Sequence, residues 1–283
     1  MSDEMMRIDV NVEARSIFRI LAIRTIVKDD VFANKLSDAF GRLLKGITIT
    51  ERIGDTKGHP DYLNYGKPHD GSEEGTDFES MSEERLCRGK EAFFGISEKD
   101  SLGTVVDYQV PLSSSDDAGE GVIDLISKNG NKIYIIEAKS WKSSEHPIRA
   151  MFEAITFWKM IGGNDDCSVF ISRYNESKKN RNRTLPEGAT AYPAILLREG
   201  SKIYKKMMDD DLGCYKELYK QISVTCQLRC FSYTKNDNNE IVIHDFTKNF
   251  VEERLGLRKY GNSYICPTCF DLNSCANESL KNF

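Results

Sequence analysis

Apolar positions along this chain follow two periods, and the switches between them outline its elements. Over residues 8–46 apolar side chains recur every three or four positions: Phe18, Leu21, Ala22 and Ile26, then Leu36, Phe40, Leu43 and Leu44. That period predicts two helices, read as an N-terminal cap. Residues 50–80 lose it. They are polar, rich in Gly, Asp and Glu, and broken by Pro60 and Pro68, which marks a long loop or insert. A helix is expected from Ser82 to about Phe94. Three β-type runs follow, 104–112, 121–128 and 132–139, and the last two are joined through Asn129-Gly130, a strong hairpin signal. Helical spacing returns over 147–161, where Ile148, Met151, Phe152, Ile155 and Trp158 share a face. Strands are expected near 167–173 and 191–198, helices across 201–223, and two more strands at 226–234 and 240–246.

The succession of helix, three strands, helix and strand predicts an α/β protein with an αβββαβ core. Three regions result: residues 1–80 with the N-terminal helices and the polar insert, a core over 81–246, and a cysteine-bearing tail over 247–283. Internal repeats are not evident.

Within the β-runs, Asp124 sits in Val122-Ile123-Asp124-Leu125-Ile126, and Glu137 and Lys139 sit in Tyr134-Ile135-Ile136-Glu137-Ala138-Lys139. A carboxylate in such an apolar run is costly unless another group compensates its charge. On adjacent antiparallel strands the two acids can face each other at the sheet end. The period of two then puts Glu137 and Lys139 on one face and Ala138 on the other. Two carboxylates and an ammonium converging in this way suit metal-assisted phosphodiester cleavage. Carboxylate oxygens hold a hard cation, the cation acidifies a bound water, and the amine orients or deprotonates that water. A strand-end salt bridge to Lys139 is the plainer alternative.

Asp124, twelve intervening residues and then Glu137-Ala138-Lys139 resemble the D…(D/E)xK signature of the PD-(D/E)xK nuclease superfamily. Ile123 stands where that signature has its proline, which is not a ligand. The resemblance implies a restriction-endonuclease-like core, a mixed central sheet flanked by helices. It implies Asp124 and Glu137 as ligands of Mg²⁺ or Mn²⁺, with Lys139 catalytic and the Ala138 carbonyl as a further ligand. A glutamate of the first core helix often joins the set, and Glu91 is preferred over Glu84. RecB-type members carry Gln-x-x-x-Tyr on the helix after the ExK strand, where this chain offers Glu153 and Phe157. Arg149, on the same helix, is a candidate phosphate contact, and His146 is read as a helix-start residue.

The charge balance changes this picture little. A net charge of −5 lacks the basic footprint of a dedicated nucleic-acid binder, but a local basic stripe can coexist with an acidic total. One such stripe is Lys178, Lys179, Arg181 and Arg183, equally readable as a solvated loop. The N-terminus shows no basic stretch followed by an apolar run, and no apolar run is long enough to span a membrane, so a cytoplasmic protein is expected.

Of the eight cysteines, Cys167, Cys214, Cys226 and Cys230 are scattered through the expected elements and read as buried small hydrophobes. Cys266-Pro267-Thr268-Cys269 and Cys275 form a C-x₂-C-x₅-C run that suits a soft metal or cluster. A fourth ligand could come from Cys87. One early cysteine, then D…ExK, then this run is similar to the iron–sulfur nucleases of the RecB/AddB kind and of CRISPR adaptation. There a [4Fe–4S] cluster staples the C-terminus to the first core helix. Zinc or free thiols remain the alternatives here.

The function expected from these residues is hydrolysis of nucleic acid, DNA before RNA, at an Asp124/Glu137 metal site. Two other classes compete: an inactive nucleic-acid-binding module, and an interaction protein with a zinc knuckle.

Overall fold

The computed structural model describes residues 30–45, 102–111, 122–139, 143, 145–163, 166–178, 184–208, 211–235, 241–260 and 263–265. In chain order these give α1 (Asp30–Lys45), β1 (Thr104–Pro111), β2 (Val122–Asn129), β3 (Lys132–Lys139), α2 (Pro147–Met160), α3 (Ser168–Lys178) and β4 (Thr190–Arg198). After these come α4 (Lys202–Met208), a 3₁₀ turn (Gly213–Tyr215), α5 (Lys216–Cys226), β5 (Arg229–Lys235) and β6 (Ile241–Asp245). A π-helical turn (Asn249–Arg254) leads to β7 (Arg258–Tyr260) and β8 (Ser263–Ile265). The expected elements at 8–29, 50–80 and 82–94 lie outside the described residues, as does the tail beyond 265.

A six-stranded mixed sheet in the order β1-β2-β3-β4-β5-β6 organises the chain. The pairs β1–β2, β2–β3 and β5–β6 are antiparallel, whereas β3–β4 and β4–β5 are parallel. Parallel strands need crossovers, and helices supply them: α2 and α3 between β3 and β4, α4 and α5 between β4 and β5. A central strand buried on both faces needs a continuous apolar run. Ile133 to Ile136 provide one in β3 and Ala194 to Leu197 another in β4, all of them buried.

Strand alternation divides these side chains between two cores. Ile133, Ile135, Ile195 and Leu197 meet the helices, while Tyr134, Ile136, Ala138, Ala194 and Leu196 join a second cluster on the opposite face. Helix α2 lies in the middle of the first core and is apolar almost all round, as an enclosed helix must be. Its Trp158 indole N–H donates to the Ala191 carbonyl at 2.9 Å, which fixes the helix along β4. Phe152 meets Phe40 of α1 edge-to-face at 5.8 Å, so the N-terminal helix packs on the same core. Residues 249–257, assigned to the tail in the sequence reading, bury Phe250, Val251, Leu255 and Leu257 there too.

One expected element is overturned. Residues 167–173 are not a strand but begin α3, and the strand that follows α2 is Thr190–Arg198. The run Cys-Ser-Val-Phe-Ile suits a strand locally, yet Cys167, Phe170, Ile171 and Tyr174 are buried at spacings of three and four. Asp166 adds the start signal, because its carboxylate accepts from the Ser168 N–H at 2.7 Å.

The hairpin β2–β3 closes in two residues, with Asn129 paired to Lys132. Gly130 takes a φ of 57° there and Asn131 is not among the positive-φ residues, the signature of a type II′ turn. No helix among the described residues is long and apolar enough to cross a membrane.

Candidate metal centre

The hairpin register is what assembles the site. Leu125 pairs with Ile136 and Ile126 with Ile135, so one further step sets Asp124 opposite Glu137. The Ala138 N–H donates to Oδ2 of Asp124 at 3.0 Å, which fixes that carboxylate against the end of β3. Parallel pairing of β3 with β4 puts Glu137 beside Ile195 and Lys139 beside Leu197, on the face that meets α2. Asp124, Glu137 and Lys139 therefore come together as their spacing predicts, with Ala138 turned to the other core.

Helix α2 completes the cluster. Its entry is shaped by Pro147 at the first helical turn and by His146, whose Nδ1 accepts from the Ile148 N–H at 3.4 Å. The expected helix-start role of His146 holds. Lys139 Nζ lies 2.8 Å from Glu137 Oε1, 2.7 Å from Glu153 Oε2 and 3.1 Å from Glu145 Oε2. Arg149 binds two of the same acids, Glu153 Oε1 from Nε at 3.0 Å and, just before the helix, Glu145 Oε1 from Nη1 at 3.1 Å. Glu153 thus holds both cations at once, one with each oxygen.

Burial decides the charge states. Removal from water, then the nearby Asp124 carboxylate, raise the pKa of Glu137 well above the ordinary carboxylate range despite the Lys139 amine beside it. Glu153 goes the other way. Burial opposes its charge, but Lys139 and hydrogen bonds from Lys139, Glu137 and Arg149 outweigh that and lower its pKa. The two carboxyls beside this one amine are thus shifted in opposite directions. Burial also opposes the charge on Lys139, and Glu137, Glu153 and Glu145 overcome it and hold the amine firmly protonated.

Sequence reasoning noticed Glu153 as an imperfect match to a Gln-x-x-x-Tyr pair and missed Glu145. The signal was present: Arg149 and Glu153 are four apart on one edge of α2, and Glu145, just before its cap, stands four residues ahead of Arg149. Phe157, the other half of that comparison, is buried in the helical core. A second missed acid is Asp107, 2% exposed at a register shift in β1, where its Oδ2 accepts from the Tyr174 hydroxyl at 3.1 Å.

Other expected site residues stay apart from this cluster or outside the described residues. Lys178 closes α3, while Lys179, Arg181 and Arg183 are beyond the described residues, as are Glu84, Glu91, Cys87, Cys266, Cys269 and Cys275. Cys167, Cys226 and Cys230 are buried free thiols, as expected, and Cys214 is half-buried. Among the described residues no three His, Cys, Asp or Glu side chains form a group able to hold a metal ion by themselves. A cation here would have to complete its shell with backbone oxygen, water or substrate, as Mg²⁺ commonly does.

Comparison with known proteins adds no relative: no family model, curated protein or solved structure matches the chain.

Proposed function

We propose that this protein is a divalent-cation-dependent phosphodiesterase that hydrolyses nucleic acid, DNA before RNA, on a restriction-endonuclease-like core. The observation that carries the reading is the meeting of Asp124, Glu137 and Lys139 at one end of the β2–β3 hairpin, on the face of the following helix. The order of three antiparallel strands, crossover helices and a fourth strand parallel to β3 agrees with such a core.

The residues fit a cation such as Mg²⁺ or Mn²⁺. Asp124, Glu137, Glu145 and Glu153 are four carboxylates beside two cations, Lys139 and Arg149. The excess of acid is what a divalent ion neutralises, and the same crowding by Asp124, together with burial, raises the pKa of Glu137. Asp124 and Glu137 would be the protein ligands, with the Ala138 carbonyl a candidate third. When bound, the ion would acidify a water and screen charge on the scissile phosphate.

The chain's own groups do the rest. An amine held protonated by acidic neighbours is a poor base, so Lys139 serves as a fixed positive charge against the phosphate oxygens. Glu153 and Glu145 aim that charge. Glu153 is accordingly a positioning residue, and Arg149 is within reach of the same oxygens once a phosphate competes for it.

Purified protein incubated with supercoiled and linear DNA, single-stranded DNA and RNA, with Mg²⁺ or Mn²⁺, provides the test. Cleavage is expected to stop with EDTA and to fall by about a hundredfold or more in Asp124→Asn, since ligand and oxyanion-type groups contribute on that scale. Binding of these substrates with no cleavage under any condition would leave an inactive binding module and overturn the reading. Zinc or an iron–sulfur cluster on the cysteines belongs to the same proposal, and metal analysis with a visible spectrum of anaerobic protein decides it.

A further inference from the structure

Helix α4 begins just beyond the C-terminal end of β4, at the same sheet edge where β3 delivers Lys139. Its sequence, Lys-Ile-Tyr-Lys-Lys-Met-Met, has two sides. Ile203 and Met207 are buried in the helical core, whereas Lys202 and Lys205 are exposed and Lys206 is half-buried. The side chains of Lys202 and Lys205 pair with no acid among the described residues. Lys206 Nζ points to the Glu145 backbone carbonyl at 3.5 Å, and Glu145 in turn touches Lys139 and Arg149. At the far end of α4, Arg254 Nε donates to the Met207 carbonyl at 3.3 Å. Positive groups therefore continue outward from the carboxylate cluster: Lys139, Arg149, Lys206, then the open lysines of α4.

In a chain whose formal charge is −5, this concentration at the edge of an acidic site calls for an anionic occupant. Asp209, Asp210 and Asp211 follow α4 directly in the sequence; of these Asp211 is among the described residues, and its carboxylate accepts from the Gly213 N–H at 3.0 Å within its own loop. An occupant that reaches the site with one phosphate and extends along a row of cations is a phosphodiester backbone. Exposed lysines offer that backbone sequence-independent contacts.

We propose that α4 is a backbone-binding subsite of this protein, in which Lys202 and Lys205 hold phosphates of the nucleic-acid strand whose scissile bond lies at Lys139. The inference rests on the nuclease reading and adds to it the surface along which the substrate runs. It adds the helix after β4 to the basic stripe at 178–183 that the sequence suggests.

The experiment measures binding of fluorescein-labelled duplex DNA to the full chain in EDTA, over a series of salt concentrations, for the wild type and Lys202→Gln/Lys205→Gln. Both lysines are exposed, so the variant is expected to keep the wild-type melting temperature. Its affinity is expected to fall roughly tenfold or more near 0.1 M salt, and the slope of log affinity against log salt to shrink by about 2, at close to 0.9 per phosphate contact. A paired variant, Lys178→Gln/Lys179→Gln, is expected to change the slope less. Wild-type binding with an unchanged slope in the α4 variant would overturn the subsite while leaving the nuclease reading intact. Absence of binding by the wild type to DNA and RNA alike would overturn both.

Discussion

Lys139→Ala is expected to abolish cleavage and, at the same time, to make the protein dependent on divalent cation for its stability. The amine lies within 3.1 Å of three carboxylates, so truncation leaves buried acids facing one another. Removing one partner from a buried ionic network commonly costs about 3–5 kcal/mol. In EDTA, denaturant unfolding of the variant should shift by about that much. Saturating Mg²⁺ should restore a substantial part, because a second cation replaces the lost positive charge, and the variant should bind Mg²⁺ more tightly than the wild type. Activity should not return with stability. If Mg²⁺ fails to stabilise the variant, the carboxylates do not form a cation site; if it restores cleavage, Lys139 has no part in the chemistry.

The pH dependence of the metal-free protein provides the second large effect. Glu137 has a folded pKa above its unfolded value of about 4.3. Between those two values the native state binds more protons than the unfolded chain, so stability from this group is complete below the unfolded pKa and is lost as pH rises through the folded one. Glu153, with its lowered pKa, has the opposite sense, contributing above the unfolded pKa and failing only as pH falls through its folded value. Asp124, Lys139 and Arg149 act on the pair, and Glu145 acts on Lys139 and Arg149. In EDTA the melting temperature should therefore decline on the alkaline side of the carboxylate range. Added Mg²⁺ should oppose the decline, because it takes the place of the Glu137 proton. At a hundred times its dissociation constant a ligand stabilises by about 2.7 kcal/mol. That amounts to roughly 5–10 °C for a chain of this size. Glu137→Gln mimics the protonated carboxyl and should remove both the decline and the Mg²⁺ response. Scanning calorimetry between mildly acidic and mildly alkaline pH reads all of these, and a wild type with the same profile with and without Mg²⁺ would contradict them.

Much of this geometry was legible in the chain because strand periodicity is strict. Asp124, Glu137 and Lys139 needed only a hairpin register to meet, and the alternation of Ile135, Glu137 and Lys139 set their face. Helix α2 was equally readable from its start at Pro147 and its apolar spacing. Residues 167–173 misled because β-branched and aromatic residues favour a strand locally, and only the three-and-four spacing with the Asp166 cap favoured the helix found. The acids at and before α2 were harder. Glu153, on α2, and Glu145, just before it, become site residues through tertiary packing against β3, which no local period encodes, although their spacing about Arg149 hinted that they meet. For α4, three lysines in seven residues look like any solvated helix until Glu145 is seen beside Lys206.

The short loop at Gly130 and Asn131 lies at the far end of the hairpin from Asp124, yet it decides which way that side chain looks. A strand has only two sides, so a change in that loop that slips β3 by one residue against β2 reverses the parity of everything downstream of it relative to its neighbour. Asp124 and Glu137 would then be directed into opposite layers, with every acid still present in the chain. Chemical competence at the rim is thus inherited from chain length at the tip, and that two-residue span constrains the site as tightly as the carboxylates themselves.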